Sequence, residues 1–138
     1  GNLGTILRTA DAVGAGGVIL LDNSCDPYSV EAVRASMGAL FTVPLVQAKW
    51  EEFLPWLRSG PSFLVGASLN TDHDYQAIAY PAPTFLFMGN EQSGLPESYE
   101  QACDALVKIP MRGKADSLNV AIATAVIVYE VLNQTRRR

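Results

Sequence analysis

Residues 84–97 read TFLFMGNEQSGLPE. From Thr84 to Met88 the side chains are apolar or β-branched without alternation, and the run breaks at Gly89. A strand with water on one face alternates; an unbroken run implies cover on both faces, the condition of a strand inside a parallel sheet. Gly89 is expected to permit positive φ and close approach of a ligand to the backbone. Gly94 gives a second break, and Pro96 and Glu97 suit the first turn of a helix that ends near Cys103. The stretch therefore reads as buried strand, shaped loop and helix.

The same alternation extends to both sides. Strand-length apolar runs recur at GVILL (17–21), FTVPLV (41–46), SFLVGA (62–67) and ALVKIP (105–110). Between them lie helical stripes. Ile6, Leu7, Ala10 and Val13 form one, and Trp50, Phe53, Leu54 and Leu57 form another. Ser29 is placed to cap a helix over Val30–Met37, and a long apolar helix follows Ser117, Leu118 and Asn119. The order α-β-α-β-α-β-β-α-β-α predicts an α/β fold: a Rossmann-like, mostly parallel sheet with helices on both faces. Ligands of such sheets bind beyond the carboxyl ends of the strands. Asn70–Pro83 is the longest irregular stretch and reads as a loop or a short helix.

Composition sets outer bounds. A chain of 138 residues, 49% hydrophobic and 17% charged, buries a core of its own as one domain over residues 1–138. Cys25 and Cys103 have no metal-ligand spacing and read as reduced thiols of a cytoplasmic protein, with no metal expected. His73 stands alone in NTDHDY, a solvated loop, and is assigned no role. The longest apolar run, Val120–Tyr129, falls short of the roughly 20 residues that cross a bilayer, so no membrane association is expected. A net charge of −4 disfavours unaided binding to a polyanion. Arg8, Arg34, Arg112, Lys114 and the terminal Arg136, Arg137 and Arg138 can still gather on one face. The chain opens with Gly1 directly before a helical pattern, which points to a further segment upstream.

Three polar clusters fall at element ends: GNLGTILR (1–8), MGNEQSGLPE (88–97) and IPMRGKADSLN (109–119). In the first, Asn2 suits a cap and Arg8 faces away from Ile6, Ala10 and Val13. In the second, Asn90 and Glu91 stand at the carboxyl edge of the sheet. In the third, Ser117 or Asn119 sits at the N-terminus of the last helix; simple capping by Ser117 leaves Asn119 as a second amide that a cap does not require. The glycines of VGAGGVILLD precede their strand, whereas a dinucleotide fingerprint follows one, so a nicotinamide-dependent oxidoreductase is rejected.

Together, NLGTILRTA, FLFMGNEQSGL and IPMRGKADSLNVAIATA resemble the three motifs of the SpoU or TrmH family, RNA 2′-O-ribose methyltransferases of the SPOUT superfamily. The resemblance spans nearly the whole chain, with the motifs in family order. It implies a C-terminal trefoil knot and an S-adenosylmethionine cofactor held mainly by backbone groups. Carried over by position, the cofactor contacts are Gly89, Ile109, Met111 and Leu118, with Ala67 and Ser68 after the third strand. The polar site set is Asn2, Arg8, Glu91, Ser117 and Asn119. The resemblance further implies rRNA or tRNA as substrate, a homodimer through the C-terminal helix, and an N-terminal RNA-recognition extension outside this chain. A catalytically silent RNA-binding or assembly module on the same fold is the competing reading, and it has no physical need for that polar set.

Overall fold

The computed structural model describes residues 2–22, 30–37, 45–89, 94–115 and 118–136; for Asn2, Leu3, Asp22 and Val30–Met37 it describes the backbone alone. Elements follow in the order α1 (Asn2–Ala12), β1 (Ala15–Asp22), β2 (Val30–Met37), β3 (Leu45–Lys49), α2 (Trp50–Arg58), β4 (Phe63–Ala67), β5 (Thr84–Met88), α3 (Glu97–Ala102), β6 (Ala105–Val107) and α4 (Val120–Arg136). The strands form one sheet in the order β3-β1-β2-β5-β4-β6. The pairs β1–β3, β4–β5 and β4–β6 are parallel, while β2 is antiparallel to both β1 and β5. Five strands therefore run one way, and β2 alone opposes them.

Residues 30–37 correct the sequence reading. They form a strand, not the helix expected after Ser29, because their backbone supplies the ladder that joins β1 to β5. Pairing on both edges overrides a weak local preference. The expected strand at 41–46 is seen at Leu45–Lys49, its first four residues lying outside those described.

Both faces of β1, β4 and β5 are covered, which is why their apolar runs do not alternate, whereas the edge strand β3 leaves Leu45 and Val46 about half exposed. Leu86 and Met88 of β5, Val65 of β4 and Val18 of β1 pack with Ile6, Ala10 and Val13 of α1 and Ala121, Ile127, Val128 and Val131 of α4. Phe85 and Phe87, Leu64 and Leu21 turn to the other face, against Phe53 and Leu57 of α2 and Tyr99 of α3. Each fully buried Val, Leu, Ile, Phe or Met among them contributes about 1.5–3 kcal/mol. Trp50 stacks on Tyr99 with ring centroids 3.9 Å apart, fixing α2 and α3 to each other.

Polar ties close the amino edge. Asp104 Oδ2 accepts from the Leu64 amide at 2.7 Å and from Arg58 Nη1 at 3.0 Å, and Arg58 Nη2 donates to the Ala102 carbonyl at 2.7 Å. Arg58 and Asp104 are each about one-third exposed, so the amide bond matters more than the screened charge pair. Asp104→Ala is expected to lower stability by about 1–2 kcal/mol. Asp104→Asn, which keeps an acceptor for Leu64, should lower it by less, as read from urea midpoints.

The stretch 70–83 contains no helix. Tyr80 is buried within it, its hydroxyl donating to the Tyr75 carbonyl and its amide to Gln134 Oε1 at 3.0 Å. Gln134 Nε2 returns a bond to the Ile78 carbonyl at 2.8 Å. These contacts put the C-terminal end of α4 beside the chain entering β5. A helix of 17 residues rises about 25 Å, so α4 begins at the opposite, carboxyl edge.

Candidate active site

Register brings three strand ends together. Gly66 pairs with Phe87 of β5 on one side and Leu106 of β6 on the other. Ala67 and Ser68, Gly89, and Ile109 therefore leave the sheet at one edge. Ile109, Met111 and Leu118 are half-buried there, an apolar wall leading to α4. The turn at Gly14, with φ of 70°, reverses the chain between α1 and β1, so the N-terminal half of α1 also lies at the carboxyl edge. Helices α1 and α4 pack on each other. Arg8 is exposed on α1, opposite Ile6 and Ala10.

Gly89 earns its place differently from the expectation. Its φ is not positive; among the described glycines Gly14 and Gly94 hold that region, Gly94 at 68°. A Cβ on Gly89 would instead lie 2.1 Å from the Gly94 carbonyl carbon and 2.4 Å from the Leu95 nitrogen. Gly89 thus meets the backbone of Gly94 and Leu95 directly. Glu91 and, in the third motif, Ser117 lie outside the described residues; the side chain of Asn2 is likewise not described.

Asn119 is also explained differently. Helix α4 starts at Val120, and Asn119 Oδ1 accepts from the Ala121 amide at 2.8 Å while its carbonyl accepts from the Ala123 amide at 2.8 Å. Asn119 is therefore the cap itself. The helix is buried along one side and open along another. Ala121, Thr124, Ile127, Val128, Glu130 and Val131 are buried, whereas Ile122 and Tyr129 are 53% and 43% exposed.

Ser68 is held on two sides. Its amide donates to the Val107 carbonyl at 3.0 Å, and its hydroxyl donates to Glu100 Oε2 on α3. Asn70 Nδ2 meets the other oxygen of Glu100 at 3.2 Å, and the Asn70 amide donates to Ser68 Oγ at 3.0 Å. Sequence reading missed Asn70 and Glu100, since no local motif links positions about 30 residues apart.

Cys103 sits behind the site rather than in it. Burial, then the Asp104 and Glu100 carboxylates, push its thiol up to about 12 despite the opposing Arg58 guanidinium. A neutral thiol of that kind is no nucleophile at neutral pH. Because the folded value lies above the ordinary value of 9.0, the stability gained from this thiol is complete below about pH 9. It is lost between about 9 and about 12 as the unfolded thiolate forms. Cys103→Ser should flatten that alkaline limb in urea midpoints measured across the range. Among the described residues, no three His, Cys, Asp or Glu side chains gather as a metal group, and no helix is long and apolar enough to cross a membrane.

With the geometry in hand, residues 1–129 match the family model of the SpoU rRNA methylases. The chain belongs to the SpoU rRNA methylase family. Among curated relatives, a 23S rRNA (uridine(2479)-2′-O)-methyltransferase of Streptomyces viridochromogenes is 39% identical over 97% of this chain and 49% of that protein. The 23S rRNA (guanosine(2553)-2′-O)-methyltransferase RlmP of Bacillus subtilis is 34% identical over 95% of this chain and 53% of its own. A crystal structure of an AdoMet-bound rRNA methyltransferase from Sinorhizobium meliloti superposes with a TM-score of 0.79. It is 45% identical and covers 96% of this chain and 51% of that one. The chain thus spans about half the length of the curated SpoU relatives it matches.

Proposed function

We propose that the chain is the catalytic domain of a methyltransferase that moves a methyl group from S-adenosylmethionine to a ribose 2′-hydroxyl of rRNA or tRNA, rRNA being favoured by the relatives' substrates. The observation that carries this reading is the convergence of the β4, β5 and β6 ends, which gathers Ala67, Ser68, Gly89 and Ile109 at one edge beside the mouth of α4. The edge suits the cofactor chemically. Half-buried Ile109, Met111 and Leu118 offer an apolar wall for a flat base, and backbone groups beyond the paired residues are placed for its polar parts.

When bound, S-adenosylmethionine supplies a sulfonium methyl open to attack by an oxygen nucleophile. The protein has to align the hydroxyl and manage one proton. Arg8 does not serve as base, because a guanidinium keeps its proton far above neutral pH. Its role is to hold an RNA phosphate or to stabilise the developing alkoxide. Glu91, Asn2 and Ser117 orient the ribose. Asn119, whose amide oxygen is committed to the α4 backbone, fixes the helix mouth.

Two finer features belong to the same reading. Residues 107–108 run between Ser68 on one side and His73 and Tyr75 on the other: the Ser68 amide meets the Val107 carbonyl at 3.0 Å, the Lys108 amide meets the His73 carbonyl at 2.9 Å, and the Tyr75 amide meets the Lys108 carbonyl at 2.9 Å. A later segment bonded on both sides to parts of one earlier stretch is what a threaded chain requires, and it supports the reading of a trefoil knot. Ile122 and Tyr129, exposed seven residues apart on one face of α4, support a homodimer through that helix, with a second copy as occupant. Ile122→Glu is expected to convert the dimer to monomer in light scattering, while a starting protein that is already monomeric would exclude this interface. The cytoplasm is the compartment proposed, consistent with the free thiol of Cys103.

The test is methyl transfer from labelled S-adenosylmethionine to 23S rRNA followed by alkaline hydrolysis. A 2′-O-methyl group protects its phosphodiester, so one resistant linkage is expected; label recovered on a base would overturn the reading.

A further inference from the structure

Glu100 projects from α3 to the carboxyl edge and divides its two oxygens between the two ends of one turn: Oε2 accepts from Ser68, Oε1 from Asn70. The helix does not need those bonds to dock. Tyr99 is buried and stacked on Trp50, and Asp104 ties the far end of the same segment to Leu64 through a backbone bond of 2.7 Å. The turn, by contrast, has no apolar anchor, since Leu69 at its centre is 61% exposed. Its order rests on Glu100 and on the Ser68 amide bond to Val107, the next tie along the chain being Thr71 Oγ1, which donates to the Leu106 carbonyl at 3.3 Å. Helix α3 in turn follows Gly94 and Leu95, whose backbone meets Gly89 at the end of β5.

We infer that Glu100 is a positioning residue of the cofactor site: by gripping Ser68 and Asn70 it locks the turn after β4 to the segment after β5, holding the three converging strand ends in one arrangement. The inference rests on the S-adenosylmethionine reading. Each bond has a carboxylate acceptor and is therefore among the stronger neutral-donor contacts. Loss of both would free the turn and make cofactor binding include the cost of ordering it.

The experiment is calorimetric titration of the chain and its variants with S-adenosylhomocysteine, paired with unfolding midpoints. Glu100→Ala is expected to weaken binding about tenfold, and Glu100→Gln to stay within about threefold, because a carboxamide still accepts from Asn70 and can donate to Ser68 Oγ. Glu97→Ala, which removes only a 3.4 Å contact with Gln101 on the same helix, should bind as the starting chain does. Faster hydrogen exchange at the Asn70 amide in Glu100→Ala would mark the freed turn. Unchanged affinity in Glu100→Ala overturns the inference. So does equal weakening in Glu100→Ala and Glu100→Gln that tracks a shared fall in the unfolding midpoint. If Glu100→Ala does not fold, Asn70→Ala, which removes one of the two Glu100 contacts and is no proposed cofactor contact, takes its place with a weakening of about threefold expected; unchanged affinity there overturns the inference. A folded starting chain that binds no S-adenosylhomocysteine defeats the cofactor reading itself, and this inference with it, which is distinct from a working site indifferent to residue 100.

Discussion

Arg8→Ala is expected to cut methyl transfer by roughly 10²–10³-fold while leaving S-adenosylmethionine affinity within about twofold. The division follows from where the residue sits. Arg8 is exposed on α1, opposite the buried Ile6 and Ala10 that hold the helix, and among the described residues no carboxylate is paired with it. Alanine is a better helix former than arginine and removes nothing from the core, so the fold should be untouched. What disappears is a permanent positive charge near the edge where the proposed reaction would bring an RNA phosphate and develop an alkoxide. Arg8→Lys keeps a charge but not the planar fork, and should recover part of the rate. Single-turnover transfer and calorimetry on the same preparations decide the matter. A fall in cofactor affinity equal to the fall in rate would show that Arg8 serves the cofactor instead.

The second large effect is expected at Gly89. Gly89→Ala places a Cβ 2.1 Å from the Gly94 carbonyl carbon and 2.5 Å from its oxygen, and backbone cannot yield as a flexible side chain would. The contact of Gly89 with the Gly94–Leu95 backbone must open, at a cost on the order of 3 kcal/mol. Because Gly89 is also a proposed cofactor contact, binding should weaken by more than about tenfold, its displaced backbone adding to the lost fit. Gly4→Ala is the matched control: a Cβ there meets nothing within 4 Å, and in a helix the change should stabilise by about 0.5–1 kcal/mol. Urea midpoints and calorimetry on both variants check the contrast. A Gly89→Ala protein as stable and as tightly binding as the parent would mean that this backbone contact plays no part.

The continuous runs at 62–67 and 84–88 made the doubly covered sheet legible, since Phe85 and Phe87 had to find one partner layer and Leu86 and Met88 another. Residues 30–37 were not legible. A valine-containing stretch with a good capping serine behind it satisfies a helix locally, and only the two neighbouring ladders make it a strand. Asn119 looked superfluous as a cap because the helix was read two residues too early; its bond to Ala121 shows where the helix begins. At the candidate site, the glycines and polar clusters signalled strand ends, and the register sets those of β4, β5 and β6 side by side. The link from Ser68 to Glu100 left no trace, because a contact across 32 residues depends on tertiary register and not on local spacing.

Titration of the chain with S-adenosylmethionine in a calorimeter addresses the central claim most directly, since that claim is a cofactor pocket built from the ends of β4, β5 and β6. Binding at about one site per chain in the micromolar range, roughly −8 kcal/mol, is the predicted result, with S-adenosylhomocysteine competing for the same site. Absence of binding heat from a chain shown to be folded, repeated at a second temperature to exclude a vanishing enthalpy, would contradict it.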